Sequence, residues 1–257
     1  ENKGFVPTEI AQDIKQKCIN LGFYACNFPE NIGGAGLNHL DFALVERELG
    51  RGSMALTHFF GRPQNILMAC KGEQIEKYLL PAVRGELMDA LAMTEPDAGS
   101  DVRGMKCFAK SEGSDWIVNG TKHFISGAEH ADFVIVFIAT GEEKTEKGIK
   151  KKITAFLVDR GTTGFVIRDG YNSVSHKGYK NMILEFDDCR LPKEQVLGEV
   201  DGGFEVMNTW LYATRLTVAA MSVGRARRCF DYALNYSAER KQFGQQIGKF
   251  QGVSFQL

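Results

Sequence analysis

The sequence predicts an α+β protein of more than one domain: an N-terminal helical bundle, a central β-barrel-like domain and an incomplete C-terminal helical bundle. Three observations predict it. Apolar residues recur at helical spacing over residues 1–87, the period shortens to that of strands over 88–200, and a proline-free helical pattern resumes at Gly203 within the last segment, 201–257.

The elements follow in order. Thr8 reads as an N-cap, with Ile10, Ala11, Ile14, Cys18 and Leu21 at helical spacing until Gly22. The stretch 28–36 is a loop by its Pro, Asn and Gly content, and 40–49 is helical until Gly50. Two further helices are expected around 53–70 and 73–84. Short strands begin near Met88. Asn119-Gly120 reads as a hairpin turn between two strands. Strands at 132–140 and 152–159 flank Glu142–Lys147, a charged stretch read as a solvated hairpin tip. From Gly203 an apolar stripe of Phe204, Met207, Leu211, Val218, Met221, Ala226, Phe230, Ala233 and Leu234 implies one helix of nearly forty residues. At 1.5 Å per residue it would approach ~57 Å and would need partner helices to cover it.

Composition excludes several classes of function. In 257 residues, 44% hydrophobic and 25% charged content with a net charge of −1 gives no electrostatic reason to expect nucleic acid or an anionic membrane as partner. The longest apolar run, Phe133–Ala139, is far short of the ~20 residues of a membrane-spanning helix and reads as a buried strand. Six scattered cysteines form no CxxC pair and five histidines show no ligand spacing, so neither zinc nor a disulfide framework is expected, and a reducing compartment fits. No targeting segment is visible. The start, Glu1–Gly4, lacks an initiator methionine and is expected to be incomplete.

Three segments carry chemistry. Thr94-Glu95-Pro96-Asp97-Ala98-Gly99-Ser100-Asp101 is a strand running into a small-residue turn, whose hydroxyls and amides can meet phosphate or ring acceptors or can simply cap the turn. Asn119-Gly120-Thr121-Lys122-His123-Phe124-Ile125-Ser126 follows, and read alone Phe124 is an inward strand residue and Ser126 an inward or edge one, with core packing expected for both. Glu239-Arg240-Lys241-Gln242-Phe243-Gly244, with Gln251 beyond, closes the long helix; its arginine suits phosphate or the helix dipole.

Together, and in this order, these segments resemble the signatures of the FAD-dependent acyl-CoA dehydrogenase family. The resemblance implies that Leu91, Met93, Thr94, Gly99 and Ser100 line the flavin and pyrophosphate of FAD, with Phe124, Ile125 and Ser126 on the opposite side of the ring. It implies that Arg240 and Gln242 reach the pyrophosphate of a neighbouring subunit's FAD, with Phe243 and Gln251 near the adenosine. Ser100, Tyr212 and Arg215 would touch the acyl-CoA substrate. Phe124 stands where the family usually has Trp, Asp97 where it has Gly, and Tyr212 where it has an acidic residue; Tyr212 on its apolar stripe reads equally well as core. Thr214 occupies the position from which a minority of the family draws its base. In the usual arrangement the base is a Glu far downstream, expected beyond Leu257, so no catalytic residue is assigned here. The chain is therefore expected to be C-terminally truncated and inactive as it stands. The family implies a homo-oligomer, dimer or tetramer, and an electron-transfer flavoprotein as electron acceptor, in the bacterial cytoplasm or mitochondrial matrix. Two rival expectations are a flavin oxidase or monooxygenase on the same scaffold, and a flavin-binding fragment without turnover.

Overall fold

In the computed structural model, residues 5–146 and 148–257 are described, so Glu1–Gly4 and Lys147 of the expectations above lie outside the described residues. The chain divides into two compact units, residues 1–37 with 54–213 and residues 38–53 with 214–257.

The first unit opens with α1 (Thr8–Asn20). Pro7 rather than Thr8 is its N-cap and no side chain caps it, since proline's fixed φ suits the entry but offers no acceptor. Between 53 and 70 the single expected helix is absent. One α-helical turn, Met54–Thr57, is followed by 3-10 turns at His58–Phe60 and Asn65–Ala69. Gly61 breaks it: its φ is +87°, and a Cβ there would sit 1.9 Å from the Tyr24 ring. Pro63 follows at once. The expected helix at 73–84 survives as a wide π turn, Ile75–Leu79, running into Leu80–Arg84, where Pro81 supplies no amide to the ladder.

The sheet contains β1 (Asp89–Ala92), β2 (Phe108–Glu112), β3 (Asp115–Ser126), β4 (Phe133–Thr145), β5 (Gly148–Asp159), β6 (Phe165–Tyr171), β7 (Asn181–Pro192) and β8 (Val196–Leu197). Its order is β6-β7-β3-β2-β4-β5-β8, with β1 parallel to β4 outside that path. The sheet is curled and encloses a core on each face. Phe133, Ile135 and Phe137 of β4 pack with Phe28, Leu67, Tyr78 and Met207 on one side. Val134, Val136 and Ile138 pack with Val118, Ile125, Leu184 and Phe186 on the other. Burial of both faces explains why β4 reads as an unbroken apolar run rather than an alternating one.

Asn119-Gly120 corrects an expectation. It lies inside a continuous β3, opposite a bulge in β7: Val118 pairs with Cys189 and Gly120 with Phe186, so Asp187 and Asp188 together face Asn119. Asn119 exchanges two hydrogen bonds with Asp188: its Nδ2 donates to Asp188 Oδ1 at 3.0 Å, and its Oδ1 accepts from the Asp188 amide at 2.9 Å. Gly120, at φ +136°, lets Cys107 approach to within 2.7 Å of where a Cβ would be. The β2–β3 turn lies instead at Gly113-Ser114, between the paired Glu112 and Asp115. β4 and β5 stay paired to Thr145 and Gly148, so Glu142–Thr145 of the charged stretch are an exposed extension of β4.

The second unit is built on α2 (His39–Gly50) and α5 (Gly203–Glu239), whose later part, from Thr214, belongs to it. Asn38 caps α2, its Oδ1 accepting from the amides of Leu40 at 2.9 Å and Asp41 at 3.0 Å. Two glycines let the helices cross closely. A Cβ on Gly224 would lie 1.9 Å from the Arg47 carbonyl, and one on Gly50 2.2 Å from the Met221 carbonyl. A cleft of about 320 Å³ beside the crossing is lined by Arg47, Glu48, Arg51 and Arg227, and its charges are largely paired: Asp231 meets Arg51 at 3.2 Å and Arg227 at 3.1 Å. On α5 beyond Ala213, Val218, Val223, Phe230, Tyr232, Leu234 and Tyr236 are exposed. The hairpin β9 (Lys241–Gln242) and β10 (Gln245–Gln246) and the short α6 (Gln251–Ser254) follow.

All six cysteines are free, and all but Cys229 are buried. Burial pushes the thiol of Cys70 up to about 12 and those of Cys107 and Cys189 to about 11. Among the described residues no helix is long and apolar enough to cross a membrane.

Candidate functional site

The sequence-predicted residues of the first unit converge where β1 ends beside β3. The amide of His123 donates to the Thr94 carbonyl at 2.9 Å. Lys122 Nζ donates to the Met93 carbonyl at 3.1 Å and to Glu95 Oε1 at 2.7 Å. Leu91, Met93 and Thr94 are thereby fixed next to Phe124, Ile125 and Ser126. Lys122 is fully buried and Glu95 is 3% exposed; Glu95 also accepts from the amides of Lys106 and Cys107. Every oxygen of this buried carboxylate has a donor, the condition under which a buried ion pair is tolerated. In the sequence Lys122 stands only as one residue of a motif. The signal was there: a lysine at an inward register of a strand otherwise lined by apolar residues must find a buried acid.

Phe124 overturns the core assignment. It is 49% exposed, and its φ of +57° is left-handed. The cause is a second bulge. β3 pairs to β7 at Lys122–Leu184 and next at Ile125–Met182, so His123 and Phe124 together oppose Ile183 alone. Alternation restarts one residue late, which sends Ile125 inward, 2% exposed, and leaves Phe124 outside. Only the backbone of Ile125 is available at the surface. Ser126 is half-buried and donates to Asn181 Oδ1 at 2.9 Å. Gly99 and Ser100 lie on the exposed turn, and a Cβ on Gly99 would meet nothing within 4 Å. Asp97 is exposed and paired with Lys106 at 2.6 Å, which holds its carboxyl below the ordinary range.

Behind Ser126 lies a buried polar cluster that the sequence did not point to. The His58 ring packs edge-on against Tyr179 at 5.6 Å and lies 6.5 Å from His130. Burial, with His130 and Arg62 nearby, lowers the His58 pKa to about 4. Its Nε2 has no hydrogen-bond partner among the described residues. Gly127 makes room for it, since a Cβ there would meet the ring at 2.5 Å. At the start of β1, burial raises the carboxyl of Asp89 to about 6, against the Gln64 amide donated to it at 3.1 Å.

Tyr212 is 70% exposed, which excludes the core alternative for it. Arg215 is exposed three residues later in α5, and Thr214 between them is half-buried. The remaining predicted residues belong to the second unit. Arg240 and Gln242 are exposed, and Gln251 is exposed at the start of α6. Phe243 and Gly244 form the two-residue turn of the β9–β10 hairpin with φ of +51° and +77°. Phe243 is 93% exposed and touches Phe250 edge-on at 6.1 Å. Leu257, the residue beyond which the base is expected, follows α6 as an exposed apolar side chain; it marks a position along the chain and contributes no group to the site.

These residues fit a flat ring system in one respect that the core does not require: an aromatic face is held out of the core at a backbone cost, beside a hydroxyl and an open small-residue turn.

Comparison with known proteins shows the family. Family models for the N-terminal, middle and C-terminal domains of acyl-CoA dehydrogenases match residues 2–86, 90–189 and 201–257. The chain is 34% identical to the caffeyl-CoA reductase-Etf complex subunit CarC of Acetobacterium woodii over 97% of this chain and 66% of that protein. Its fold matches butyryl-CoA dehydrogenase from Megasphaera elsdenii with a TM-score of 0.84 and 31% identity, covering 99% of this chain and 67% of that one. It also matches the FAD complex of PigA with a TM-score of 0.83 and 28% identity, covering 99% and 66%. The chain thus spans about two thirds of the length of the proteins it matches. With three consecutive domain models in family order and a solved relative matched along nearly all of this chain, the chain belongs to the acyl-CoA dehydrogenase family.

Proposed function

We propose that this chain forms the flavin-holding part of an FAD-dependent oxidoreductase acting at the α,β-bond of an acyl-CoA thioester. The observation that carries the reading is Phe124: an exposed aromatic ring in a left-handed conformation, tied through its neighbours His123 and Lys122 to the turn at Met93–Glu95. Bound FAD would supply the hydride acceptor. Phe124 would cover one face of the ring, Leu91, Met93 and Thr94 would line it, and the Ser126 hydroxyl would turn from Asn181 to an acceptor on its edge. Gly99 and Ser100 present an open turn to the pyrophosphate. Arg240, Gln242, Phe243 and Gln251, all exposed, suit the phosphates and adenosine of an FAD held by another subunit, which would make the enzyme a homo-oligomer. Tyr212, Arg215 and Ser100 are exposed and suited to the thioester's carrier group.

From Glu1 to Leu257 we assign no base, and the reading places it beyond Leu257. Glu95 is occupied by Lys122 and two amides, and position 214 is a threonine. Asp97, paired with Lys106, is held in its ionised form in solvent rather than poised near neutrality. The name of the Acetobacterium relative supports an electron-transfer flavoprotein as redox partner, and leaves reduction of an enoyl-CoA as the physiological direction to be tested alongside dehydrogenation.

The test is anaerobic titration of the protein with FAD, then with saturated and α,β-unsaturated acyl-CoAs, following the visible flavin spectrum. Quenched, shifted flavin absorbance on binding, with no bleaching by saturated acyl-CoA, is expected. Absence of saturable FAD binding would overturn the reading; full bleaching would place a base within these residues. Rapid reoxidation in air after chemical reduction would favour an oxidase.

A further inference from the structure

Two bulges flank β7 at one level. On one side β3 carries His123 and Phe124 opposite Ile183. On the other, β6 pairs at Arg168–Ile183 and next at Tyr171–Asn181, so Asp169 and Gly170 together oppose Met182. Gly170 is obligatory there, since a Cβ would fall 1.9 Å from the Asn181 carbonyl. β7 lies between β3 and β6 in the sheet, and strands two places apart are about 9.6 Å apart, twice the interstrand spacing. Yet the rings of Phe124 and Tyr171 meet across it, their centroids 4.3 Å apart and tilted by 35°. The His123 ring lies 4.3 Å from Phe124, and its Nδ1 is 3.2 Å from the Tyr171 hydroxyl. Bulges re-aim side chains, and two of them at matching heights aim three rings at one another over an intervening strand.

Core packing does not explain this clip, because Tyr171 is 41% and Phe124 49% exposed. Nor does the fold need it to register β7, which is paired to β3 from Asp115 onward. What the clip does is remove the freedom of one exposed ring whose backbone is already strained. We infer that Tyr171 is a positioning residue for Phe124, with His123 bracing its hydroxyl, and that the clip sets the plane of the aromatic wall before the flavin arrives. This rests on the proposed flavin site.

The experiment compares the unaltered chain with Tyr171→Ala and Tyr171→Phe by FAD titration and visible circular dichroism of the bound flavin, with urea denaturation as the control for fold. Tyr171→Ala is expected to weaken FAD binding by about two- to tenfold, the worth of one aromatic pair, and to change the flavin dichroism. Tyr171→Phe keeps the stacked ring and loses only the hydroxyl contact to His123, and is expected to show a smaller loss of affinity and a smaller change in dichroism than Tyr171→Ala. Unchanged affinity and dichroism in Tyr171→Ala would overturn the inference while leaving the flavin site standing. Equal losses in both variants would overturn it too, since the stacked ring would then not be what matters. If the unaltered chain binds no FAD, the flavin site itself fails and the inference with it.

Discussion

Phe124 and Phe243 are both exposed phenylalanines with left-handed backbones, yet they are held by opposite means. Phe124 sits in the middle of a sheet, above a fully buried ion pair and between two other rings. Phe243 occupies the first position of a two-residue hairpin turn where Asn or Gly would be expected, with one edge contact to Phe250. Neighbours over-determine the first conformation; only the paired residues of a small hairpin hold the second. One ring belongs to a preformed surface, the other to a surface that requires something to lie against it. Backbone strain therefore occurs both where neighbours fix the ring and where they leave it free, so strain alone does not mark a preorganised surface.

The surface around Phe124 is expected to fail most severely at Lys122. Lys122→Ala leaves the Glu95 carboxylate buried without its cation, and a loss of about 3–5 kcal/mol in urea denaturation is expected. Lys122→Met combined with Glu95→Gln, which keeps an acceptor for the amides of Lys106 and Cys107, is expected to recover most of it. If the single variant is as stable as the parent, the pair does not hold the β1–β3 junction.

The strand beneath Leu91 offers a second test, by pH. Asp89 keeps its proton to about 6 in the folded state, against an ordinary value of 3.8, so stability is lost as pH rises from 3.8 through 6. His58 runs the other way: the unfolded chain takes up a proton near 6.5 while the folded chain resists to about 4, so stability is lost as pH falls through that window. Asp89→Asn is therefore expected to stabilise the protein by about 3 kcal/mol at pH 8 and by almost nothing near pH 3, read from denaturation curves at both. An equal effect at both pH values would assign the gain to packing instead.

In the second unit, Gly224→Ala is expected to cost about 1–3 kcal/mol by forcing α2 and α5 apart at the Arg47 carbonyl, whereas Gly99→Ala, with open space around it, is expected to be near neutral. The smallest effect sharpens the comparison itself. Phe243→Asn should gain about 1 kcal/mol by relieving the left-handed residue, with weaker FAD binding as the functional cost, while Phe124→Asn should show no such gain because its rings are lost.

Helices, strands and their order were legible because period is a property of the chain itself: α5 and β4 read correctly from their apolar residues. The bulges were not, because a bulge is decided by what lies across the strand. Asn119-Gly120 carries the local signature of a turn, and only Asp188 and Cys107, distant in sequence, make it an irregularity inside β3. The same holds for Phe124, whose inward register is correct up to Lys122 and lost one residue later. The helix expected at 53–70 failed for a tertiary reason as well, the Tyr24 ring against Gly61. Among the buried polar residues, Lys122 carried a signal in its inward register, whereas His58, whose role is set by burial among residues distant in sequence, carried none.

Cys229 gives the exposed half of α5 a chemical voice. It stands among Arg225, Arg228 and Tyr232 on that stretch, the one exposed thiol among six, while the other five are shielded inside the fold. A maleimide or disulfide reagent should therefore label the native protein once, at a rate that reads how much of that helix face is open. Slowed labelling at higher protein concentration, or on adding a peptide that packs along α5, would report coverage of the face without a second structure.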